Sequence, residues 1–495
     1  MKAKPRIGRP VNLGKFILWV TVVLMLTAGA FRYTQQPSFW LDEAFVAVSL
    51  RDSSAGKIFA RLEYAQYFPR IYLFSIYWLR QIFGYQIWNL RLLPFLSFII
   101  ATFFWARMLA MRSGQIWVVG LLSAALLLGS TFWLDQAIAL KQYTFDVLLA
   151  FIPFLVTDRL LKQSLAEGKN RLLLGALALP CLVSYTYPFA LAARIAGWYL
   201  DHGRRAGWRL HLPACLMFAS AAGLALVGIW ATDYRFNLID RPSYLTYWDD
   251  CILSSRLQQS GGRALQLLAG FLWGWHGRQP LVTAGMVPLQ VLGVYSVFRR
   301  WRNREPDAGD SPWGSRSVGS LALLMGMILA SALVSYPLCA GRVTLFGQVH
   351  TQILALEGAL FFRTLWNTRK AIAVLCSFVA VVVFHSGREY IRFIRSEPAE
   401  NIRPMLPIIR SGIANTLWVH SCSTAQVRSL PDALEIQEVV PGTEARAQPG
   451  QKVLVLWTHL GAKYCRDELD RLRETARSWQ VIQEGHDRGL ALAEF

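Results

Sequence analysis

Apolar residues in this chain fall in blocks of helical length, and most blocks end in a basic cluster. The blocks are Phe16 to Phe31, Leu92 to Arg107, Gln115 to Thr131, Tyr143 to Val156, Leu172 to Tyr187, Pro188 to Leu200, Leu212 to Ala231, Leu281 to Phe298, Val318 to Tyr336, Phe346 to Phe362 and Ala371 to His385. A helix that crosses a bilayer needs roughly 20 mostly apolar residues, so this pattern predicts about eleven membrane-crossing helices. Pro69 to Gly84 is also apolar, but it is short and carries Arg70, Ser75, Arg80 and Gln81. It reads as an amphipathic helix lying at the membrane surface.

Basic residues decide the orientation. Lys2, Lys4, Arg6, Arg9 and Lys15 precede the first block, which reads as an uncleaved first span with a cytoplasmic N-terminus. Counting Pro69 to Gly84 as a surface helix then puts Arg107 to Arg112, Arg159 to Arg171, Arg204 to Arg209, Arg299 to Arg316 and Arg363 to Lys370 all inside. Residues 32–91 form a first outer loop, 132–142 a second, and 232–279 a further large one. An odd number of spans leaves the tail, 386–495, outside.

The tail has a different character. Thr416-Leu-Trp-Val419, Lys452-Val-Leu-Val-Leu-Trp-Thr458 and Val481-Ile are strand-like, whereas Asp467 to Trp479 has helical spacing. A small extracytoplasmic α/β domain is expected there, after a transmembrane domain over 1–385. Cys422 and Cys465 both lie in this tail, where an oxidising compartment would let them pair.

Composition narrows the class. The 495 residues are 54% hydrophobic and 17% charged, whereas soluble domains usually carry about 25% charged residues. The net charge of +20 would suggest nucleic acid in a soluble protein, but here topology accounts for it, and no nucleic-acid motif is present. The seven cysteines lack metal-ligand spacing.

The sharpest candidate chemistry is Pro37-Ser-Phe-Trp-Leu-Asp42-Glu43-Ala-Phe, shortly after the first span. An acidic pair among aromatics at a membrane surface is either a solvated interfacial loop or a general base, because apolar surroundings make a carboxylate a better proton acceptor. Tyr247-Trp248-Asp249-Asp250 and Gly270 to Gly277 are aromatic-rich acceptor platforms or plain helix ends. Glu357 lies inside a span, where a carboxylate is costly.

The tryptophan and Asp-Glu pair after the first span resemble the GT-C glycosyltransferases, and in particular family 39, which includes protein O-mannosyltransferases and lipid A aminoarabinose transferases. Phe68-Pro-Arg-Ile-Tyr72, Ile82-Phe-Gly84, Asn89-Leu-Arg-Leu-Leu-Pro94, Ala139-Leu-Lys-Gln-Tyr-Thr-Phe-Asp146, Tyr336-Pro-Leu and Gly341-Arg-Val-Thr-Leu-Phe346 follow in the family's order. Phe68 stands where the family often has a proline before Pro69. The resemblance implies an inner-membrane enzyme that moves a sugar from a polyprenyl-phosphate donor to a hydroxyl of an exported lipid, glycan or protein.

On that reading Asp42 is the base and Glu43 its support. Lys141 and Arg342, with Tyr143 as a further donor, hold the leaving phosphate, since stabilising developing charge is commonly the largest catalytic term. Asp135 and Asp146 flank the second outer loop and would suit magnesium or manganese, or the acceptor, although members of the family often work without metal. A flippase for a lipid-linked saccharide and a non-catalytic envelope assembly subunit are the rival readings.

Overall fold

A computed structural model of the chain describes residues 13–495 except 52, 61, 63, 65–68, 114–116, 166, 168–170, 204–218, 220–221, 224–225, 229, 232–247, 274–279, 304–313, 340–343, 366–367, 399, 415, 433, 440–447, 460–462 and 486. The chain forms two compact units. One holds residues 1–30, 94–137 and 142–394; the other holds 31–93, 138–141 and 395–495.

The helices follow the apolar blocks. They include α1 (Leu13–Gln35), α2 (Leu41–Arg51), α3 (Arg70–Phe83), α4 (Leu92–Ser113), α5 (Trp117–Leu128), α6 (Tyr143–Leu155), α7 (Tyr187–Trp198), α8 (Pro280–Asn303), α9 (Gly314–Val334), α10 (Leu345–Leu365) and α11 (Thr368–Arg395). Among the described residues α1, α4, α8, α9 and α11 are long and apolar enough to cross a membrane, and α5, α6 and Leu172–Leu182 are shorter apolar helices. This is a polytopic helical membrane protein with a small C-terminal sheet. The block Leu212 to Ala231 lies largely outside the described residues.

The fifth block is not one helix. It forms an α-helical stretch, Arg171–Ala178, and a 3-10 turn, Leu179–Leu182, because Pro180 cannot continue the hydrogen-bond ladder. Pro188 then sits in the first turn of α7, where its missing N–H costs nothing.

Glycine sets how closely the spans pack. A Cβ on Gly358 of α10 would lie 1.7 Å from the Leu289 carbonyl of α8, and one on Gly293 of α8 would lie 1.9 Å from the Leu354 carbonyl of α10. The two backbones therefore touch where neither residue has a side chain, as in small-residue contacts between membrane helices. Beside this crossing, Glu357 is fully buried, and its carboxylate accepts from the Ser317 hydroxyl and pairs with Arg300 at 3.1 Å. These two partners account for a carboxylate inside a span. Arg194 is likewise buried, bonded to Ser315 at 2.9 Å and to the Asp158 carboxylate.

In the second unit a five-stranded sheet has the order β2-β1-β3-β5-β4, with β1 (Leu417–His420), β2 (Gln437–Val439), β3 (Lys452–Thr458), β4 (Ser478–Gly485) and β5 (Arg488–Glu494). β1 runs parallel to β2 and β3, while β5 is antiparallel to β3 and β4. β3 is apolar on both sides because both are covered. Val453, Val455 and Trp457 pack with Leu469 and Leu472 of α12 (Lys463–Thr475), whereas Leu454 and Leu456 pack with Ile402, Met405, Val427 and Leu430.

Three corrections to the tail follow. The helix expected over 467–479 lies at Lys463–Thr475, Trp479 belongs to β4, and β2 and β5 had no counterpart in the sequence pattern. Cys422 and Cys465 do form a disulfide. A second one joins Cys251 to Cys339, 88 residues apart.

Candidate active site

The Asp-Glu motif opens α2. The Trp40 carbonyl accepts the Glu43 and Ala44 N–H groups at 2.9 Å, so Trp40 is the N-cap and Glu43 the third helical residue. Glu43 reaches back to the Trp40 N–H at 3.4 Å, the carboxylate half of a capping box. Its other partners fix it firmly. Arg91 lies 2.6 Å away with both side chains buried, and the Leu140 N–H donates to the second carboxylate oxygen. Arg91 also bonds the Pro37 carbonyl at 2.5 Å and lies 4.7 Å from the Phe39 ring centroid. A buried carboxylate is tolerable only when paired and hydrogen-bonded in this way.

Asp42 is the next residue back, about 100° around the helix axis. It is half-buried, whereas Glu43 is buried. The pair therefore divides into a carboxylate clamped by charge and backbone and a more accessible neighbour in the same first turn, where the helix dipole favours negative charge.

Lys141 is brought into the same unit. The segment 138–141 belongs with the first loop, where Leu140 bonds Glu43 and the Lys141 carbonyl accepts from the Tyr72 hydroxyl at 3.2 Å. Arg80 and Arg51 tie the loop further. Arg80 donates to the Ser53 and Arg51 carbonyls at 3.1 and 2.7 Å, and Arg51 donates to the Arg428 and Leu430 carbonyls at 2.7 and 2.9 Å.

Other expected residues lie elsewhere. Tyr143 and Asp146 are buried at the start of α6 in the other unit, where the Asp146 carboxylate accepts from Ser184 and its N–H donates to the Gln142 carbonyl at 2.7 Å. Asp135 is exposed at the end of a short helix, Thr131–Asp135. Arg342 lies outside the described residues, as do Tyr247, Trp275 and His276. Asp249 and Asp250 are engaged locally, by Gln259 at 3.1 Å and Arg256 at 2.8 Å.

Three residues in the loop's own unit were not anticipated. The Glu400 carboxylate accepts the Leu41 N–H at 2.9 Å and meets His459 Nδ1 at 2.7 Å. Polar atoms of Glu400, His459 and Asp487 lie within 4.8 Å of one another, and the His459 N–H donates to the Asp487 carbonyl at 3.0 Å. All three have left-handed backbone, with φ of 56°, 60° and 59°. Few residues other than glycine adopt that conformation, and in a sequence nothing marks it. The hydrogen bond that the His459 ring donates to the Glu400 carboxylate raises the His459 pKa, with the Glu400, Asp487 and Asp42 charges adding to it against the opposing effect of burial.

No family model and no curated protein matches the chain. Among solved structures, it is similar to the crystal structure of ArnT from Cupriavidus metallidurans bound to undecaprenyl phosphate, with a TM-score of 0.48 and 12% identity over 96% of this chain and 97% of that one. The apo state of the same protein gives a TM-score of 0.38 and 12% identity over the same shares.

Proposed function

We propose that the chain is an inverting membrane glycosyltransferase of GT-C type, taking a sugar from a polyprenyl phosphate and giving it to a hydroxyl of an exported lipid, glycan or protein. The observation that carries this reading is the division of labour in the first turn of α2. Arg91 and the Leu140 N–H hold Glu43, while Asp42 beside it is more open. A general base needs such a fixed platform and access to a proton.

In the reaction Asp42 takes the acceptor hydroxyl proton as that oxygen attacks the anomeric carbon opposite the phosphate. The sugar–phosphate bond breaks, and the lipid phosphate leaves with the bonding electrons. Lys141 and Arg342 bear its charge, Arg342 by a two-pronged grip and Lys141 as a point charge, with Tyr143 as a further hydroxyl donor. Cationic side chains meet the electrostatic demand of this leaving group, so a metal at Asp135 and Asp146 is an additional element rather than a requirement. The two disulfides support placing residues near 251 and 339, and the tail, on an oxidising outer side of the inner membrane.

The experiment is transfer of labelled sugar from undecaprenyl-phosphate hexoses by the purified full chain in detergent, beside mass spectrometry of envelope glycans in a deletion strain. Asp42→Asn keeps the shape but cannot take the proton, so turnover should fall by roughly 10²–10⁴. Full turnover in Asp42→Asn would remove Asp42 as base. Lipid-linked sugar moved across proteoliposomes without transfer would make the protein a flippase.

A further inference from the structure

Three carboxylates converge on the N-terminal end of α2: Asp42 and Glu43 from its own first turn, and Glu400 from beyond α11. The first N–H groups of a helix have no partner within it, and a Ser, Thr, Asp or Asn at the N-cap usually supplies one. Here the N-cap is Trp40, which cannot. Glu400 does so from 359 residues away, accepting the Leu41 N–H at 2.9 Å.

Glu400 is itself tightly held. Ser38 bonds Asn401 Oδ1 through its N–H at 2.9 Å and accepts the Ile402 N–H at 2.8 Å, which stitches the turn containing Glu400 to the chain just before α2. The Gln426 side chain donates to the same carboxylate, with its carbonyl oxygen bonded to Thr458. His459, at the end of β3, takes the other oxygen. The charges thus sort into pairs: Arg91 answers Glu43, and His459 answers Glu400.

We propose that Glu400 and His459 are a positioning pair for the Asp42 carboxylate, with Glu400 capping the helix that carries Asp42 and the His459 imidazolium balancing the charge Glu400 brings there. This rests on the reading of Asp42 as the base. The charged groups facing His459 are Glu400, Asp487 and Asp42. All are carboxylates, so its protonation is favoured. The charge pair is complete below the unfolded histidine value of about 6.5 and is lost as pH rises through the raised value in the folded protein. Above that, Glu400 brings an uncompensated negative charge to the helix end where Asp42 must work.

Two readouts on the full chain in detergent test the pair. Amide hydrogen exchange at residues 41–44 reports the cap without any substrate. Glu400→Ala should speed it by about tenfold, the usual effect of losing a cap, and Glu400→Gln should restore most of the protection through its amide oxygen. The rate of transfer from an undecaprenyl-phosphate hexose against pH reports the charge. Wild-type kcat should change as pH rises through the raised histidine value, with donor KM unchanged, and His459→Gln should lack that inflection. Unchanged exchange in Glu400→Ala, or a wild-type pH profile in His459→Gln, would overturn the proposal. A fully active Asp42→Asn with the expected exchange result would instead overturn the choice of base and leave the cap standing.

Discussion

Arg91 and Glu43 form a buried ion pair 2.6 Å long, and it fixes the start of α2 to the Asn89-Leu-Arg-Leu-Leu-Pro94 segment that leads into α4. Removing one partner of a buried pair strands the other charge and typically costs about 3–5 kcal/mol. Arg91→Ala should therefore lower the thermal midpoint of the detergent-solubilised protein strongly. Arg91→Met combined with Glu43→Gln should recover part of the loss. Equal midpoints for Arg91→Ala and wild type would mean that Glu43 finds its balance elsewhere.

The proposed donor grip can be separated from the proposed base chemistry. On that reading Arg342→Ala should cost roughly 1.5–3 kcal/mol of charge-assisted contact, about ten- to a hundredfold in kcat/KM for the lipid donor. Acceptor dependence should change little. An unchanged donor dependence would leave Arg342 as a membrane anchor.

The α8–α10 crossing predicts a position that tolerates no side chain. Gly358→Val drives a branched side chain into the Leu289 carbonyl, 1.7 Å from where its Cβ would sit, and should destabilise the helical unit by about 1–3 kcal/mol. Gly326 of α9 is the control, because a Cβ there meets nothing within 4 Å. Gly326→Ala should be neutral or slightly stabilising. Similar thermal midpoints for the two variants would mean that the helices do not pack this closely.

Orientation is read by labelling. Arg473 is exposed on α12, whereas Ala137 in the second expected outer loop is fully buried and a poor reporter. Arg473→Cys should react with an impermeant maleimide in intact spheroplasts, and the tail is cytoplasmic if it reacts only after lysis.

Much of the helical part was legible because an apolar block of span length has few alternatives in a bilayer. The tail was legible where short apolar runs mark strands, as at Leu417-Trp-Val419 in β1, Val481-Ile482 in β4 and above all β3, which is buried on both faces. β3 announced itself as Val-Leu-Val-Leu-Trp, but β5 reads Arg-Gly-Leu-Ala-Leu-Ala-Glu, whose alanines and leucines favour a helix until pairing with β3 and β4 overrides them. β2 is a short, polar edge strand with no pattern to detect.

The site divides in the same way. Asp42 and Glu43 stood out by adjacency and by their place after the first span. Arg91 lay within a recognised segment, but only the fold pairs it with Glu43. Glu400, His459 and Asp487 carry no shared spacing, and their left-handed backbones bring them together only once the sheet exists. The Cys251–Cys339 bridge was hidden for the same reason, its halves standing 88 residues apart.

The cap on α2 also imposes an order of events in synthesis. Asp42 leaves the ribosome early, but the carboxylate that completes its helix is made 359 residues later than Leu41, and His459 later still. A nascent chain can thread its first spans, bury Glu43 against Arg91 and still lack that cap. A C-terminal deletion that spares every span would leave the chain inserted but α2 uncapped, and the last hundred residues are in effect the step that completes the Asp42 end of a polypeptide already threaded.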